Sequence, residues 1–460
     1  MVNLLFTHDD LVYRKAKLIK IYDPTCGTGG MLSESEKVIK DPETGLNPSA
    51  EVRLFGQEYN PESFAICGSD LMIKGEEVNN IVFGDTLGTG KPKEGFADGD
   101  GHPGEHFHFM LANPPFGVEW KPEKDFVTKE HDTFGFKGRF GPGLPRINDG
   151  ALLFLLHMIS KMQPAPEKGG EGSRIAVVFN GSPLFTGDAG SGESNIRRWI
   201  IENDMLEAVI GLPDQLFYNT GIYTYVWIVT NRKAAQRKGR VQLINATDFA
   251  WKMKKSLGDK RKRMGDGTDG TPDHLAAITR LYGDFAKDVR KTVAEIQTNI
   301  DPKRDQTKSQ CVSKIFDNQD FGFLKITVER PLRLNFAVTD ARIASVKQTN
   351  AFWELALSRK RKNQAQIDTE VLQGKAAQAA ILAVLEGMRP AFADGHTVKD
   401  RPTFDKLLTA AFAAADLELD SKLKTALLAP GSFGAKDPSA DIFRDKKGNP
   451  EPDADLRDTE

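Results

Sequence analysis

The sequence of 460 residues has few cysteines, no long apolar segment and almost no net charge. Cys26, Cys67 and Cys311 lie far apart, so neither a disulfide framework nor a zinc-binding spacing is present. No apolar run reaches the length that crosses a bilayer and no signal-peptide pattern is visible, which predicts a soluble cytoplasmic protein without a membrane partner. The 62 lysines and arginines against 64 aspartates and glutamates give a net charge of -2. Any contact with nucleic acid must therefore be a local patch or be shared with a partner.

The stretch 18–32 has the pattern of a buried strand, a tight turn and the start of a helix. An apolar run from Leu18 to Tyr22 stops at Asp23, and apolar sequence resumes at Met31. The turn between them contains three glycines, which allow a close backbone approach to a ligand: Gly27, Gly29 and Gly30. Their spacing fits neither the dinucleotide nor the phosphate-loop pattern. A carboxylate at a strand end suits a cationic ligand such as S-adenosylmethionine, although a plain strand–helix turn is the alternative.

Further strands alternate with helical segments, which predicts an α/β fold with about seven mostly parallel strands and helices on both faces. Strands are expected at 53–57, 81–83, 107–111, 175–179, 206–210 and 222–230, with 241–244 as an added edge strand or the exit from the domain. Helices are expected at 31–40, from Pro61 onward, at 149–162 and at 193–203. The Gly- and Pro-rich stretch 117–147 is typical of a long loop. Acidic or amide side chains follow the first four strands, which predicts a ligand-binding rim.

The most specific motif is Asn113-Pro114-Pro115-Phe116, directly after a predicted strand. An exocyclic purine amine is a poor nucleophile because its lone pair is delocalised into the ring. The Asn113 side-chain carbonyl and the Pro114 carbonyl can accept hydrogen bonds from that amine and free its lone pair for methylation. Pro115 removes a competing N–H, and Phe116 can stack on an extracted base.

Together these motifs resemble the modification (methyltransferase) subunits of type I restriction–modification systems, which methylate adenine N6 in DNA. The resemblance is closest over the first half of the chain and includes the segment Leu216-Phe-Tyr-Asn-Thr-Gly-Ile. It implies that Asn113, Pro114, Pro115 and Phe116 are the catalytic residues. It implies that S-adenosylmethionine is held by Asp23, Pro24, Thr25, Gly27, Thr28, Gly29, Gly30, Glu58 and Asp85. Phe217 and Asn219 would approach the flipped base, with plain core packing and a turn role as their alternatives.

The resemblance also implies a domain plan and a set of partners. Residues 1–245 would form a Rossmann-like S-adenosylmethionine-dependent methyltransferase domain, 246–339 a basic and Gly-rich connecting segment, and 340–460 a helical region with a polar tail. Members of the family carry a helical domain before the sheet, and this sequence begins after that point. The implied partners are double-stranded DNA, a specificity subunit shared by two modification subunits, and a restriction subunit. The alternatives are an incomplete or non-catalytic assembly component, and a methyltransferase acting on protein glutamine or RNA.

Several other residues are weaker candidates. His102, His106 and His108 have a metal-like spacing but are expected to be exposed loop residues, so no metal site is predicted. Cys26 and Cys67 are expected to be small buried residues, and His157 a hydrogen-bonded core histidine. No cysteine follows a proline, which argues against cytosine-C5 methylation. The basic run 252–263 is either a solvated loop or a contact for DNA phosphates or a partner subunit.

Overall fold

In the computed structural model, residues 1–15, 17–301, 303–358, 363–445 and 447–459 are described. The chain divides into two compact units, Met1–Phe323 and Leu324–Glu460. The boundaries expected from the sequence at 245 and 339 stay predictions, and each unit is described by itself below.

The first unit contains thirteen strands and nine α-helices among its described residues. The strands are β1 Leu18–Asp23, β2 Glu51–Glu58, β3 Ile81–Asp85, β4 Ala97–Asp98, β5 Phe109–Ala112, β6 Arg174–Phe179, β7 Leu206–Gly211, β8 Tyr225–Thr230, β9 Arg240–Asn245, β10 Trp251–Leu257, β11 Lys260–Arg263, β12 Val289–Thr292 and β13 Ser309–Asp317. The helices are α1 Val2–Phe6, α2 Gly30–Lys40, α3 Pro61–Ile73, α4 Lys124–Phe134, α5 Ala151–Ser160, α6 Ser182–Phe185, α7 Gly192–Glu202, α8 His274–Asp284 and α9 Val293–Ile296.

Eleven of these strands form one sheet in the order β12-β13-β9-β7-β8-β6-β5-β1-β2-β3-β4. Its centre, β3-β2-β1-β5-β6-β8-β7, is parallel except for β8, which runs antiparallel to both neighbours. The predicted α/β class and mostly parallel sheet are confirmed. The count of about seven describes this centre, and four further strands, β4, β9, β12 and β13, extend it. Residues 241–244, expected to be an added edge strand or the exit from the domain, lie in β9, which pairs in parallel with β7. It is an added strand but not an edge strand, because β13 pairs on its other side.

Helices cover both faces of the sheet because the central strands alternate two apolar sets. Phe109 and Leu111 of β5 belong to one buried cluster with residues of α1, α2, α3 and α8. Met110 and Ala112 belong to a second cluster with residues of α4, α5 and α7. This period of two is the side-chain alternation of a strand buried on both sides. Because β3, β2, β1, β5 and β6 run parallel, their carboxyl ends form one edge of the sheet.

Two segments of the first unit differ from the sequence-based expectation. Residues 117–147, expected to be a long loop, contain α4, which buries Val127 and ends at Gly135 with φ of 49°. A mostly polar helix with a narrow buried face has a weak periodic signal, so the glycines and prolines around it dominated the prediction. The basic run is not a loop either, because β10 and β11 pair as an antiparallel hairpin. Within the connecting segment expected at 246–339, the chain forms α8 and the four-residue α9, and β12 lies between them.

The second unit is mainly helical, as predicted. Its elements are α10 Asp340–Lys347, α11 Asn350–Trp353, α12 Gln364–Met388, α13 Arg401–Ala414, α14 Ser421–Leu427, β14 Thr327–Val328, β15 Leu334–Phe336, β16 Gly434–Lys436 and β17 Asp458–Thr459. Its core includes Phe336, Phe404 and Phe412. The polar stretch after residue 430 also buries Phe433 and Phe443 in this core. None of the helices in the described part of the chain combines the length and apolarity needed to cross a membrane.

Candidate active site

Four predicted site residues lie at the carboxyl ends of four neighbouring parallel strands. Asp85 ends β3, Glu58 ends β2, Asp23 ends β1, and Asn113 directly follows β5. Adjacent strands are about 4.8 Å apart, so these ends form one short rim. The carboxyl edge of an open parallel sheet is where such folds bind ligands. The structure therefore brings together the carboxylates and the amide that the sequence places far apart.

The glycine turn after β1 is tied to the ends of β2 and β3. The Gly27 N–H donates to the Glu58 carboxylate at 2.8 Å, and the Asn60 N–H donates to its other oxygen at 2.6 Å. The Thr86 hydroxyl, just past β3, donates to the Pro24 carbonyl at 2.7 Å. These bonds fix three strand ends relative to one another.

The turn requires glycine at Gly29. Its φ is 80°, and an added Cβ would lie 2.7 Å from the Cys67 Sγ on α3. Gly27 also has a positive φ, of 57°, but an added Cβ at Gly27 or Gly30 would meet no atom within 4 Å. The backbone therefore packs closely against Cys67 at Gly29, whereas Gly27 and Gly30 face open space. We call this open space over Gly27 and Gly30 the cradle.

Two buried carboxylates of the rim each keep one oxygen without a partner. One oxygen of Asp23 accepts from the Thr25 N–H at 2.9 Å, and one oxygen of Asp85 accepts from the Leu87 N–H at 3.0 Å. The second oxygen of each is buried and has no hydrogen-bond partner among the described residues. Burial raises the pKa of Asp23 to about 7, against the opposing hydrogen bonds from Thr25, and burial also raises the pKa of Asp85. Unpaired buried acceptors at these positions fit a ligand that brings hydrogen-bond donors and positive charge.

The motif after β5 presents its polar groups to the open side of the rim. Asn113 is exposed, Pro114 is buried, Pro115 is exposed and Phe116 is half-buried. No described residue donates a hydrogen bond to the Asn113 side chain or to the Pro114 carbonyl. Both acceptors are therefore available to a ligand.

The second predicted base-contacting segment meets this motif. The ring of Phe217, in the loop between β7 and β8, lies edge-on to the ring of Phe116 with centroids 6.4 Å apart. Both rings are half-buried and pack on the same cluster. Asn219 is exposed two residues later in the same loop. An aromatic corner thus stands beside the Asn113 amide.

Comparison with known proteins assigns this arrangement to a family. A model of the family described as N-6 DNA methylase matches residues 3–305. The chain belongs to the N-6 DNA methylase family.

Relatives of this methylase-family chain include subunits of type I restriction enzymes. The MjaVII methylase subunit of Methanocaldococcus jannaschii is 29% identical over 235 residues, which are 50% of this chain and 35% of that protein. The HindI methylase subunit of Haemophilus influenzae is 27% identical over 241 residues, 52% of this chain and 47% of that protein. The chain thus spans about a third to a half of the length of these curated relatives. A solved type I restriction–modification methyltransferase subunit from Streptococcus thermophilus is 23% identical, with a TM-score of 0.46 over 62% of this chain and 52% of its own.

The sequence analysis missed a residue that organises the rim of this methylase-family chain. The Arg139 guanidinium donates to the carbonyls of Thr86 at 2.7 Å and Leu87 at 3.0 Å, directly after Asp85. The same guanidinium pairs with Glu130 of α4 at 2.7 Å. Arg139 therefore fastens α4 to the loop that follows β3. The only signal in the sequence was an arginine and a glutamate nine positions apart in a stretch assigned to a loop.

The weaker candidates have structural roles in this chain. The His102 ring bonds the Gly56 carbonyl at 3.0 Å, and the His108 ring bonds Glu171 at 3.1 Å. Both rings are buried, so the expectation of three exposed loop histidines holds for His106 alone. His157 is fully buried against the Tyr22 hydroxyl at 3.0 Å, as predicted for a core histidine.

The two predicted small buried cysteines are confirmed. Cys26 is 5% exposed and Cys67 is fully buried. An added Cβ at Gly56 would lie 2.9 Å from the Cys26 Sγ, as an added Cβ at Gly29 would crowd Cys67. The two thiols therefore fill the space beneath the glycine turn. The neighbouring Cys67 thiol, followed by burial, raises the pKa of Cys26, so Cys26 stays a neutral packing group.

Proposed function

We propose that this chain is the modification subunit of a type I restriction–modification complex, an adenine-specific DNA methyltransferase. It would transfer a methyl group from S-adenosylmethionine to N6 of an adenine flipped out of double-stranded DNA. The observation that carries the proposal is the exposed Asn113 amide, directly beside the Asp23 strand end and the Phe116–Phe217 corner. Membership in the N-6 DNA methylase family and the type I methylase subunits among its relatives support it.

The carboxylates and glycines fit S-adenosylmethionine because of what they leave unsatisfied. The unpaired oxygens of Asp23 and Asp85 are acceptors for a cationic ammonium and for an adenine amine, respectively. Glu58 would receive the ribose hydroxyls, and the cradle over Gly27 and Gly30 leaves room for the methionine portion. When bound, S-adenosylmethionine supplies the methyl group, and its sulfur takes the C–S electron pair as the N–C bond forms.

The residues after β5 would activate and orient the acceptor amine. The Asn113 side-chain oxygen and the Pro114 carbonyl would each accept a hydrogen bond from one N–H of the amine. These bonds draw the nitrogen towards tetrahedral geometry and expose its lone pair. Because both acceptors lack partners among the described residues, nothing has to be displaced. Phe116 and Phe217 would hold the base by stacking. The methylated amine then loses one proton to water, so no side chain of unusual basicity is required.

The proposed partners are those that the resemblance to type I modification subunits implies, and the relatives named as type I methylase subunits support them. A specificity subunit, shared by two modification subunits, would read the DNA sequence, and a restriction subunit would complete the complex. The whole chain carries a net charge of only -2, which agrees with a protein that does not bind a long stretch of DNA unaided.

Methyl transfer from labelled S-adenosylmethionine tests the proposal. Wild type and Asn113→Ala are compared on duplex DNA in the presence of the specificity subunit, with Asn79→Ala as the matched control. Asn79 is an equally exposed amide just before β3, at the opposite edge of the sheet. We expect Asn113→Ala to lose roughly a hundredfold or more in turnover while its cofactor affinity stays unchanged. Asn79→Ala should match wild type.

Three outcomes would contradict the proposal. Label recovered in protein or RNA instead of DNA would favour a different planar amine or amide as the substrate. Equal incorporation by wild type and Asn113→Ala would remove the assigned role of Asn113. A folded wild-type complex that binds DNA but transfers no methyl group would favour a non-catalytic assembly component.

A further inference from the structure

The hairpin formed by β10 and β11 concentrates positive charge on a chain that is otherwise acidic. Residues 251–263 contain seven lysines and arginines against one aspartate, a net charge of +6, whereas the whole chain carries -2. The seven cations are Lys252, Lys254, Lys255, Lys260, Arg261, Lys262 and Arg263. Such a local patch is the electrostatic pattern of a polyanion-binding surface.

Most of this charge is not neutralised within the protein. Lys262 pairs with Asp214, and Arg263 lies 3.5 Å from Asp269. Within the described residues, the other five cations have no carboxylate in ion-pair range. Lys252, Lys254, Lys255 and Arg261 are exposed.

The pairing of the two strands adds to this imbalance. Lys252 stands directly opposite Lys262 in the hairpin register. Like charges opposed across an antiparallel pair destabilise it. This repulsion would be relieved by a ligand that supplies closely spaced negative charges.

The hairpin is seated against the loop that carries Phe217. The Asp259 N–H donates to the Tyr218 carbonyl at 2.9 Å, and the Arg261 N–H donates to the Gln215 carbonyl at 3.0 Å. The Lys260 ammonium lies 4.7 Å from the centre of the Tyr218 ring. The same loop presents Phe217 to Phe116 at the proposed base pocket. The cations therefore flank the place where a flipped base would enter.

We propose that the hairpin β10–β11 binds the phosphodiester backbone of DNA beside the extruded adenine. This inference rests on the proposed function and names how the duplex is held at that site. Extruding a base means unpairing and unstacking it, and phosphate contacts next to the pocket offset that cost. Because the hairpin and the Phe217 loop share backbone hydrogen bonds, binding of phosphate also positions the base-contacting loop.

Neutralising the unpaired lysines tests the proposal against a matched control. The hairpin variant carries Lys252→Gln, Lys254→Gln and Lys255→Gln. The control carries three equally exposed substitutions, Lys15→Gln, Lys168→Gln and Lys238→Gln, which precede β1, β6 and β9 at the opposite edge of the sheet. Circular dichroism and thermal unfolding establish that both variants of the full chain are folded.

Fluorescence anisotropy of a labelled duplex, over a series of salt concentrations, is the first readout. We expect the hairpin variant to bind at least roughly tenfold more weakly at low salt, with a slope of log affinity against log salt reduced by about 2–3. Its S-adenosylmethionine affinity and its turnover at saturating DNA should equal those of wild type, while its KM for DNA rises. The control should keep the wild-type affinity and slope.

The proposal would be overturned if the hairpin variant and the control had the same DNA affinity and salt slope. It would also be overturned if neither the wild type nor the variants bound DNA. Unchanged DNA affinity combined with lost binding of a protein subunit would also overturn it, since the hairpin would then be a protein-docking surface. The proposed function fails separately. A wild-type complex that binds DNA through the hairpin but never methylates it refutes the activity and leaves the phosphate contact intact.

Discussion

The affinity of this chain for S-adenosylmethionine should fall steeply with acidification, because Asp23 must be ionised to receive a cation. Burial raises the pKa of Asp23 to about 7, and its second oxygen has no partner among the described residues. A cationic ligand binds the ionised form of Asp23. The apparent Kd is therefore the Kd of that ionised form multiplied by 1 + 10^(pKa − pH). With a pKa of about 7, that factor is about 2 at pH 7 and about 100 at pH 5, a weakening of roughly 50-fold.

Unfolding does not explain such a loss. A buried carboxyl with a raised pKa binds its proton more tightly in the folded chain than in the unfolded chain. Its contribution to stability is therefore complete below about pH 4 and is lost as the pH rises through about 7. The contribution is on the order of 4 kcal/mol, because the pKa of Asp23 moves from 3.8 to about 7. The titration of Asp23 alone therefore makes the folded state more stable at pH 5 than at pH 8.

Isothermal titration calorimetry between pH 5 and pH 7 measures the effect while the ligand's ammonium stays largely charged. Asp23→Asn should bind weakly and with the same affinity at every pH. Asp85→Asn, the matched substitution two strands away, should keep the steep dependence. A wild-type affinity that changes less than threefold between pH 5 and pH 7 would refute the reasoning. A steep pH dependence of the affinity that survives in Asp23→Asn and disappears in Asp85→Asn would refute it too.

Two further predictions concern the turn and the core. Gly29→Ala should lose about 1–3 kcal/mol in urea unfolding because of its φ of 80° and a thiol 2.7 Å from the new Cβ. Gly30→Ala should keep its stability and lose cofactor affinity, and an unchanged affinity would mean that the space above Gly30 is not used. Glu207 is fully buried 3.1 Å from Arg174, so Glu207→Ala should lose roughly 3–5 kcal/mol. Glu202 is exposed and ion-paired with Arg198, so Glu202→Ala should lose less than about 1 kcal/mol of stability. Similar losses for Glu207→Ala and Glu202→Ala would contradict the reasoning from burial.

The rim of the site was predictable because its signals are local. A run of buried strand residues followed by Asp23, or by Asn113, is visible within a window of ten residues, and parallel strands bring such ends to one edge. The close approach of Phe116 and Phe217, 101 positions apart, was expected only from resemblance and not from any pattern in either segment. The structure supplies that contact because β7 ends at the same edge as β5, and the loop between β7 and β8 carries Phe217 there.

What the sequence did not reveal depends on pairing between distant or polar segments. The strands β12 and β13 extend the sheet by pairing with each other and with β9, yet β12 lies in a stretch with a helical composition. The hairpin β10–β11 is too rich in lysine and arginine to show an alternating apolar pattern. Arg139 acts through carbonyl groups more than fifty positions earlier. None of these interactions has a periodicity that a single sequence displays.

The two sides of the site differ in how far they are built by the chain itself. On the cofactor side, Gly27 bonds Glu58, Thr86 bonds Pro24, and Arg139 holds the next two carbonyls, so three strand ends form one fixed frame. On the base side, the polar groups of Asn113 and Asn219 are exposed. Nearby lie two aromatic rings and a hairpin in which five of seven cations have no ion pair among the described residues. A fixed frame with unsatisfied buried acceptors suits a small ligand that binds repeatedly in one orientation. An open side with exposed amides and excess positive charge suits a large, charged ligand whose binding completes the site. Under the proposed function, the methyl donor would therefore occupy the preformed half, and the extruded base, held by its phosphates, would complete the other half.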